Sequence, residues 1–155
     1  MSRFRYLNVN PDKILVPDCT IRAITVLTGK TWEEVYDGIC AEGKLMHNMP
    51  SSNAVWSSYL RNLGYIRTPL PDTCPYCYTV DDFCHEHQHG KYLLALHEHV
   101  VAVVDGYYKE RDPNNILKPL RIFGLKDETP QPQSVLPVNA LKFKMTKNLK
   151  QCRTR

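Results

Sequence analysis

No stretch of this 155-residue chain approaches the roughly 18 consecutive apolar residues that a membrane-spanning helix needs. The opening MSRFRYLNVN also lacks the apolar core of a secretory signal. Both absences predict a cytoplasmic protein that neither crosses nor enters a membrane. Repeats and low-complexity tracts are missing, which removes solenoids and arrays from consideration. Strong charge is missing too. The formal net charge is +4, and its excess gathers in the tail at Lys142, Lys144, Lys147, Lys150, Arg153 and Arg155. A solvated tail accounts for that pattern, and nucleic acid is not an expected partner. The sequence gives no oligomeric state.

What is present fits one domain, 1–155, long enough to bury about 70% of the surface its unfolded chain exposes. Six cysteines stand in it. In a reducing compartment they point to a metal site or to catalysis before disulfides.

The first half reads as helical. Arg3–Asn10 alternates loosely and suggests a short strand, after which Pro11, Asp12 and Pro17 mark a loop. Asp18 stands as an N-cap before Cys19, and Ile21, Ile24 and Leu27 form an apolar stripe that Gly29 closes. Thr31 and Glu34 form a capping box for a second helix through Trp32, Val35, Tyr36 and Ile39, ending near Gly43. Ser52 caps a third helix, with Val55, Trp56, Tyr59, Leu60 and Leu63 on one face and Gly64 at its end. The two tryptophans and Tyr59 are read as core.

The second half reads as strands: Lys91–Leu96, a hairpin over 99–112, Leu117–Leu125, and a last strand around Leu141–Met145 beyond a Pro-rich linker at 130–137. Helices first and an antiparallel sheet second is an α+β order. In the hairpin, Asp105-Gly106 is a type I′ turn signal. Counting inward from Val104 opposite Tyr107, His99 falls opposite Asp112. Directly opposed residues of an antiparallel pair hold their Cβ atoms roughly 4.5–5.5 Å apart. An imidazole beside a carboxylate is the orienting pair that a thiol or hydroxyl nucleophile requires. Tyr107 and Tyr108 are expected to divide between surface and core.

Cys19 supplies a candidate nucleophile. A thiol at the start of a helix feels the positive end of the helix dipole, which favours thiolate. The unpaired N–H groups there, that of Cys19 included, can also receive an oxyanion. The competing reading makes Cys19 a small buried hydrophobe, and the His99–Asp112 register tips the balance toward catalysis.

DCTIRAITVLTGKTWEEVY followed by HEHVVAVVDGYYKERDP resembles the small papain-like cysteine peptidases of bacteria and phages. Those proteins carry an Asp-Cys-x-x-Arg-Ala helix start and a Gly/Ser-His-x-x-Ala-Val-x-Asp-Gly hairpin. The chain is also similar to peptidase domains that cleave double-glycine leaders, where an Asp-Pro follows the catalytic histidine on the next strand. The resemblance implies a papain-like fold with N-terminal helices packed on a C-terminal antiparallel sheet. It implies Cys19 as nucleophile, His99 as base and Asp112 as orienting acid, with a protein or peptide as substrate. One departure concerns the oxyanion hole: where such enzymes place a glutamine about six residues before the cysteine, this chain has Lys13. Asn10 is the nearest amide. His97, on the same strand face as His99, is assigned to the cleft rim.

Segment 68–90 has a different character, rich in turn formers, cysteine and histidine but with no periodic apolar face. Cys74-x-x-Cys77 followed by Cys84-x-x-His87 has the spacing of a closed, structural zinc site. His89 and then His85 are the alternatives to His87. A polar segment with few core-forming residues would need such a metal to become ordered. Cys-Pro-Tyr-Cys also matches a glutaredoxin-type redox motif, but it lacks the preceding strand and following striped helix that such a motif occupies. Cys40 and Cys152 are read as a packing residue and an exposed thiol.

The expectation is therefore a papain-like hydrolase, a peptidase or isopeptidase, with a zinc-bearing insertion at 68–90. The alternative is a non-catalytic, zinc-containing protein-binding module on the same scaffold. A nucleic-acid zinc ribbon is a third and weaker idea.

Overall fold

The computed structural model describes residues 3–69, 78–96, 98–112 and 141–144, the last four and Pro69 through their backbone. Element order is β1 (Phe4–Tyr6), α1 (Cys19–Thr28), α2 (Trp32–Leu45), α3 (Asn53–Asn62), β2 (Ile66–Pro69), α4 (Val80–Glu86), β3 (Lys91–Leu96), β4 (His99–Val104), β5 (Tyr107–Glu110) and β6 (Leu141–Lys144). The protein is α+β. Its six strands form one sheet in the order β1-β5-β4-β3-β6-β2. Most neighbours run antiparallel, but β1 pairs with β5 in parallel, so the sheet is mixed rather than purely antiparallel. Nor is it wholly C-terminal, because β1 and β2 come from the first half of the chain.

Helix boundaries follow local chemistry. Gly29 takes φ +76°, the left-handed conformation that lets it close α1 with its N–H on the Thr25 carbonyl. Thr31 and Glu34 make a full capping box, and α2 runs two residues past Gly43, to Leu45. Asp18 occupies the N-cap position of α1 but makes no capping hydrogen bond with its side chain, which is engaged elsewhere.

Strand alternation divides the interior into two clusters. Leu93, Ala95, Val100 and Ala102 face the α1–α3 layer, against Ala23, Ile24, Leu27, Val35, Val55, Trp56 and Leu60. Tyr92, Leu94, Leu96, Val101, Val103 and Tyr108 face the other way, against Val80, Phe83 and Cys84 of α4. Strands buried on both faces read as continuous apolar runs, which is the character of β3 and β4. Tyr108 is buried, whereas Tyr107 is half-buried with the Arg5 guanidinium 4.1 Å from its ring centre.

Helix α4 corrects the reading of 68–90 as a segment with few core-forming residues and no periodic apolar face. Val80, Phe83 and Cys84 are buried, and Thr79 and Asp82 cap the helix reciprocally. The Thr-x-x-Asp signal precedes too short an apolar pattern to stand out. The second correction is β2, where Pro69 ends a strand. Among the described residues it pairs only with β6, at the edge of the described sheet, where a missing N–H is tolerated. The predicted strand Leu117–Leu125, the linker 130–137 and Cys152 lie outside the described residues.

Candidate active site

The hairpin turn has the predicted form: Asp105 and Gly106 both take positive φ, 48° and 75°. Val104–Tyr107, Val103–Tyr108 and Ala102–Lys109 are paired as counted. The pairing then stops. β5 continues to Glu110 as the partner of β1, with Tyr6 beside Glu110 and the Leu7 N–H on the Glu110 carbonyl. The extrapolated rung between His99 and Asp112 does not form. Asp112 is exposed, two residues past the end of the strand. The carboxylate on His99 is that of Glu110, whose Oε2 lies 2.6 Å from His99 Nε2.

Glu110 is fully buried and has its two oxygens divided. Oε1 accepts from Arg22 Nη2 at 2.6 Å and from the Arg111 backbone N–H at 2.6 Å. Oε2 faces the imidazole. Arg22, also buried, donates its other arm to Asp18 Oδ1 at 2.7 Å, and the Trp32 indole N–H donates to Asp18 Oδ2 at 3.0 Å. Arg111 closes the back of the group, with Nη2 on the Val16 carbonyl at 2.6 Å and Nη1 3.6 Å from Asp18 Oδ1. Buried charges survive only when paired and hydrogen-bonded; Glu110, Arg22 and Asp18 meet both conditions, whereas Arg111 Nη1 has the ion pair without a hydrogen bond.

Cys19 opens α1 and its thiol bonds with the His99 side chain. Because Nε2 is committed to Glu110, Nδ1 is the ring nitrogen left for sulfur. Burial works to raise the thiol's pKa, but His99, the Val100 backbone N–H and the Thr20 side chain together hold it below the ordinary value. Burial works to lower the pKa of His99, and the contacts with Cys19 and Glu110 outweigh it, carrying the imidazole up to about 9. Burial would likewise raise Glu110. Its bonds to His99, the Arg111 N–H and Arg22 bring it down to about 2. All three directions favour a thiolate–imidazolium pair backed by a carboxylate.

Cys19 and His99 are thus together, and the carboxylate beside His99 is that of Glu110 rather than Asp112. The sequence carried an indirect signal that a carboxylate is needed, though not which one. Arg22 stands one turn after Cys19 on the face that α1 buries, and a buried arginine demands a carboxylate partner. Asn10 is buried in the loop before α1. Its Oδ1 accepts the Asp12 N–H, and its own N–H donates to Asn8 Oδ1. His97 lies outside the described residues.

Cys74 and Cys77 of the expected zinc set also lie outside the described residues. Cys84 is sealed in the apolar cluster, where burial and the nearby Asp81, partly offset by Arg3, push its thiol up to about 12. As placed, Cys84 is a fully buried core side chain and joins no group of three metal-binding side chains among the described residues. His87 stacks on Phe83 with ring centres 3.9 Å apart, and its Nδ1 lies 3.1 Å from the Phe83 carbonyl. His85 is bonded to Arg3, and the His89 carbonyl accepts from the Tyr92 hydroxyl. Among the described residues, no three metal-binding side chains converge.

No helix among the described residues is long and apolar enough to cross a membrane. No family model, curated protein or solved structure matches the chain.

Proposed function

We propose that this protein is a cysteine-nucleophile hydrolase of papain-like type, a peptidase or isopeptidase that cleaves an amide bond in a protein or peptide. The observation that carries this reading is the order sulfur, imidazole, buried carboxylate, assembled from a helix start and two strands. The Cys19 thiolate attacks the carbonyl carbon, and the carbonyl π electrons move onto oxygen. His99 gives its proton to the leaving amine as the carbon–nitrogen bond breaks, and a thioester to Cys19 remains. Neutral His99 then takes a proton from water as the water oxygen adds to the thioester carbon; the carbon–sulfur bond breaks, the Cys19 thiolate is restored beside imidazolium, and the carboxylic acid leaves. Glu110 holds the ring's orientation and tautomer throughout. The Cys19 N–H, at the first helical position where a helix offers no internal partner, is the oxyanion donor we assign, with Asn10 as candidate for the second.

The cytoplasm, where thiols stay reduced, is the compartment that suits this chemistry. We further propose that structural zinc is held through Cys74 and Cys77, with His87 supplying a ligand, while Cys84 stays in the core. Elemental analysis of the purified protein is expected to find one zinc per chain; a metal-free folded protein would remove the metal from the account.

The catalytic proposal is tested by incubating lysate proteins with wild type and with Cys19→Ala, then mapping newly released α- and ε-amines. Wild type is expected to create sites that the variant does not. Identical amine maps from both proteins would overturn the assignment.

A further inference from the structure

We propose that Arg22 is a positioning residue for this site, bridging Glu110 and Asp18 so that one carboxylate oxygen of Glu110 stays aimed at His99. The inference rests on the catalytic reading above and adds a residue that touches neither substrate nor sulfur.

The argument starts from the division of labour at Glu110. A carboxylate at the end of a glutamate side chain can rotate, and an imidazole is oriented only by an oxygen that does not. Oε1 is fixed by two N–H donors at 2.6 Å, the Arg22 Nη2 and the Arg111 backbone. Oε2 is thereby left to His99 Nε2 at 2.6 Å. Of the two anchors, the backbone N–H is adjacent in the chain and moves with Glu110. Arg22 comes from a separate element, α1, the helix whose first residue is Cys19. It therefore sets the position of the strand-borne carboxylate relative to the sulfur.

Arg22 is itself held. Its second arm is on Asp18 Oδ1 at 2.7 Å, and the Trp32 indole N–H fixes the other oxygen of Asp18 at 3.0 Å. A planar guanidinium can span two carboxylates on fixed vectors, whereas a lysine ammonium is a shorter point charge on a flexible stem. The charged groups facing His99 are Cys19 from α1 and Glu110 from β5; behind Glu110 stand Arg22, Asp18 and Arg111. An ion pair serving stability alone would hold the fold together but leave the reactivity of Cys19 unchanged.

Reactivity is therefore the readout. Iodoacetamide alkylation is followed across pH by mass spectrometry that resolves Cys19 from Cys84, in wild type, Arg22→Met and Arg22→Lys. Cys84, sealed in the opposite cluster, reports in the same sample whether the fold is intact. With Cys84 still protected, Arg22→Met is expected to move the Cys19 profile to higher pH, lowering its rate at pH 6 by about tenfold. Arg22→Lys is expected to fall between the two. A folded Arg22→Met that follows the wild-type profile would overturn the proposal. Should Arg22→Met expose Cys84, Arg22→Lys decides, and a profile superimposed on wild type overturns it. A wild-type Cys19 that titrates like an ordinary thiol overturns the catalytic reading itself.

Discussion

Cys19 and Cys84 both lie in helices packed on the same sheet, one on each face, and their thiols are driven in opposite directions. Cys84 sits in an apolar cluster, and burial first and then the nearby Asp81, partly offset by Arg3, push it up to about 12. Cys19 is also desolvated, yet it is held below the usual thiol value because an imidazole, a backbone N–H and a hydroxyl meet the sulfur. Each cysteine has a histidine near it. His87, three residues on from Cys84, stacks on Phe83, while His99 comes from a different element and has a buried carboxylate behind it. Proximity in the chain does not activate a thiol. An opposing charge brought in by tertiary packing does.

The widest separation between the two cysteines is expected from their removal. Cys19→Ala lowers turnover by about 10³-fold or more and leaves the melting temperature nearly unchanged. Cys84→Ala leaves kcat intact and costs about 1–2 kcal/mol of stability, measured by denaturant unfolding. A Cys84→Ala protein that folds but no longer turns over would break the contrast.

The acid is the next point of attack. Glu110→Gln is expected to lower kcat by about 10²-fold, since a neutral amide neither stabilises imidazolium nor balances Arg22. Asp112→Asn is expected to stay within about twofold of wild type by the same steady-state assay. Reversal of those two outcomes would restore Asp112 to the role its register suggested.

Smaller effects follow from pH. His99 carries a raised folded pKa, so its contribution to stability is full below the unfolded histidine value of about 6.5 and is lost as pH rises through about 9. Activity should fall on the same alkaline limb as the imidazolium deprotonates. Glu110 is depressed, so its contribution is present above the unfolded value of about 4.3 and is lost as pH falls toward about 2. Melting curves between pH 2 and 10 would show both limbs, and Glu110→Gln should remove the acidic one. The smallest change belongs to Trp32→Phe. Losing the indole N–H on Asp18 should cost about 0.5–1.5 kcal/mol, seen as a lower melting temperature.

Much of this arrangement was legible in the residues alone. Gly29, the Thr31–Glu34 capping box and the Asp105-Gly106 turn each state their backbone geometry locally, and the structure has them as read. Cys19 and His99 were legible because a helix start and a strand start are local features that carry chemistry. The identity of Glu110 was not, because it depends on β5 running one residue past its pairing with β4 while it stays beside β1. A count of rungs contains no information about β1 arriving alongside. Helix α4 was missed because its buried face is only Val80, Phe83 and Cys84, too few for a periodic signal, and the cysteine drew attention as a ligand rather than as core. Asp18 shows the same limit from the other side: it holds the N-cap position, but its carboxylate is drawn to Arg22 and Trp32 by packing that no capping rule contains.

The central claim is that tertiary contacts, and not burial, set the state of the Cys19 sulfur, and it is tested most directly by labelling both thiols of the native wild-type protein as a function of pH. Cys19 is predicted to reach half its maximal alkylation rate well below the roughly 8.5 of an unperturbed thiol, while Cys84 stays unlabelled until the protein unfolds. Half-maximal labelling of Cys19 at or above that value, or labelling no faster than that of Cys84, would contradict the account.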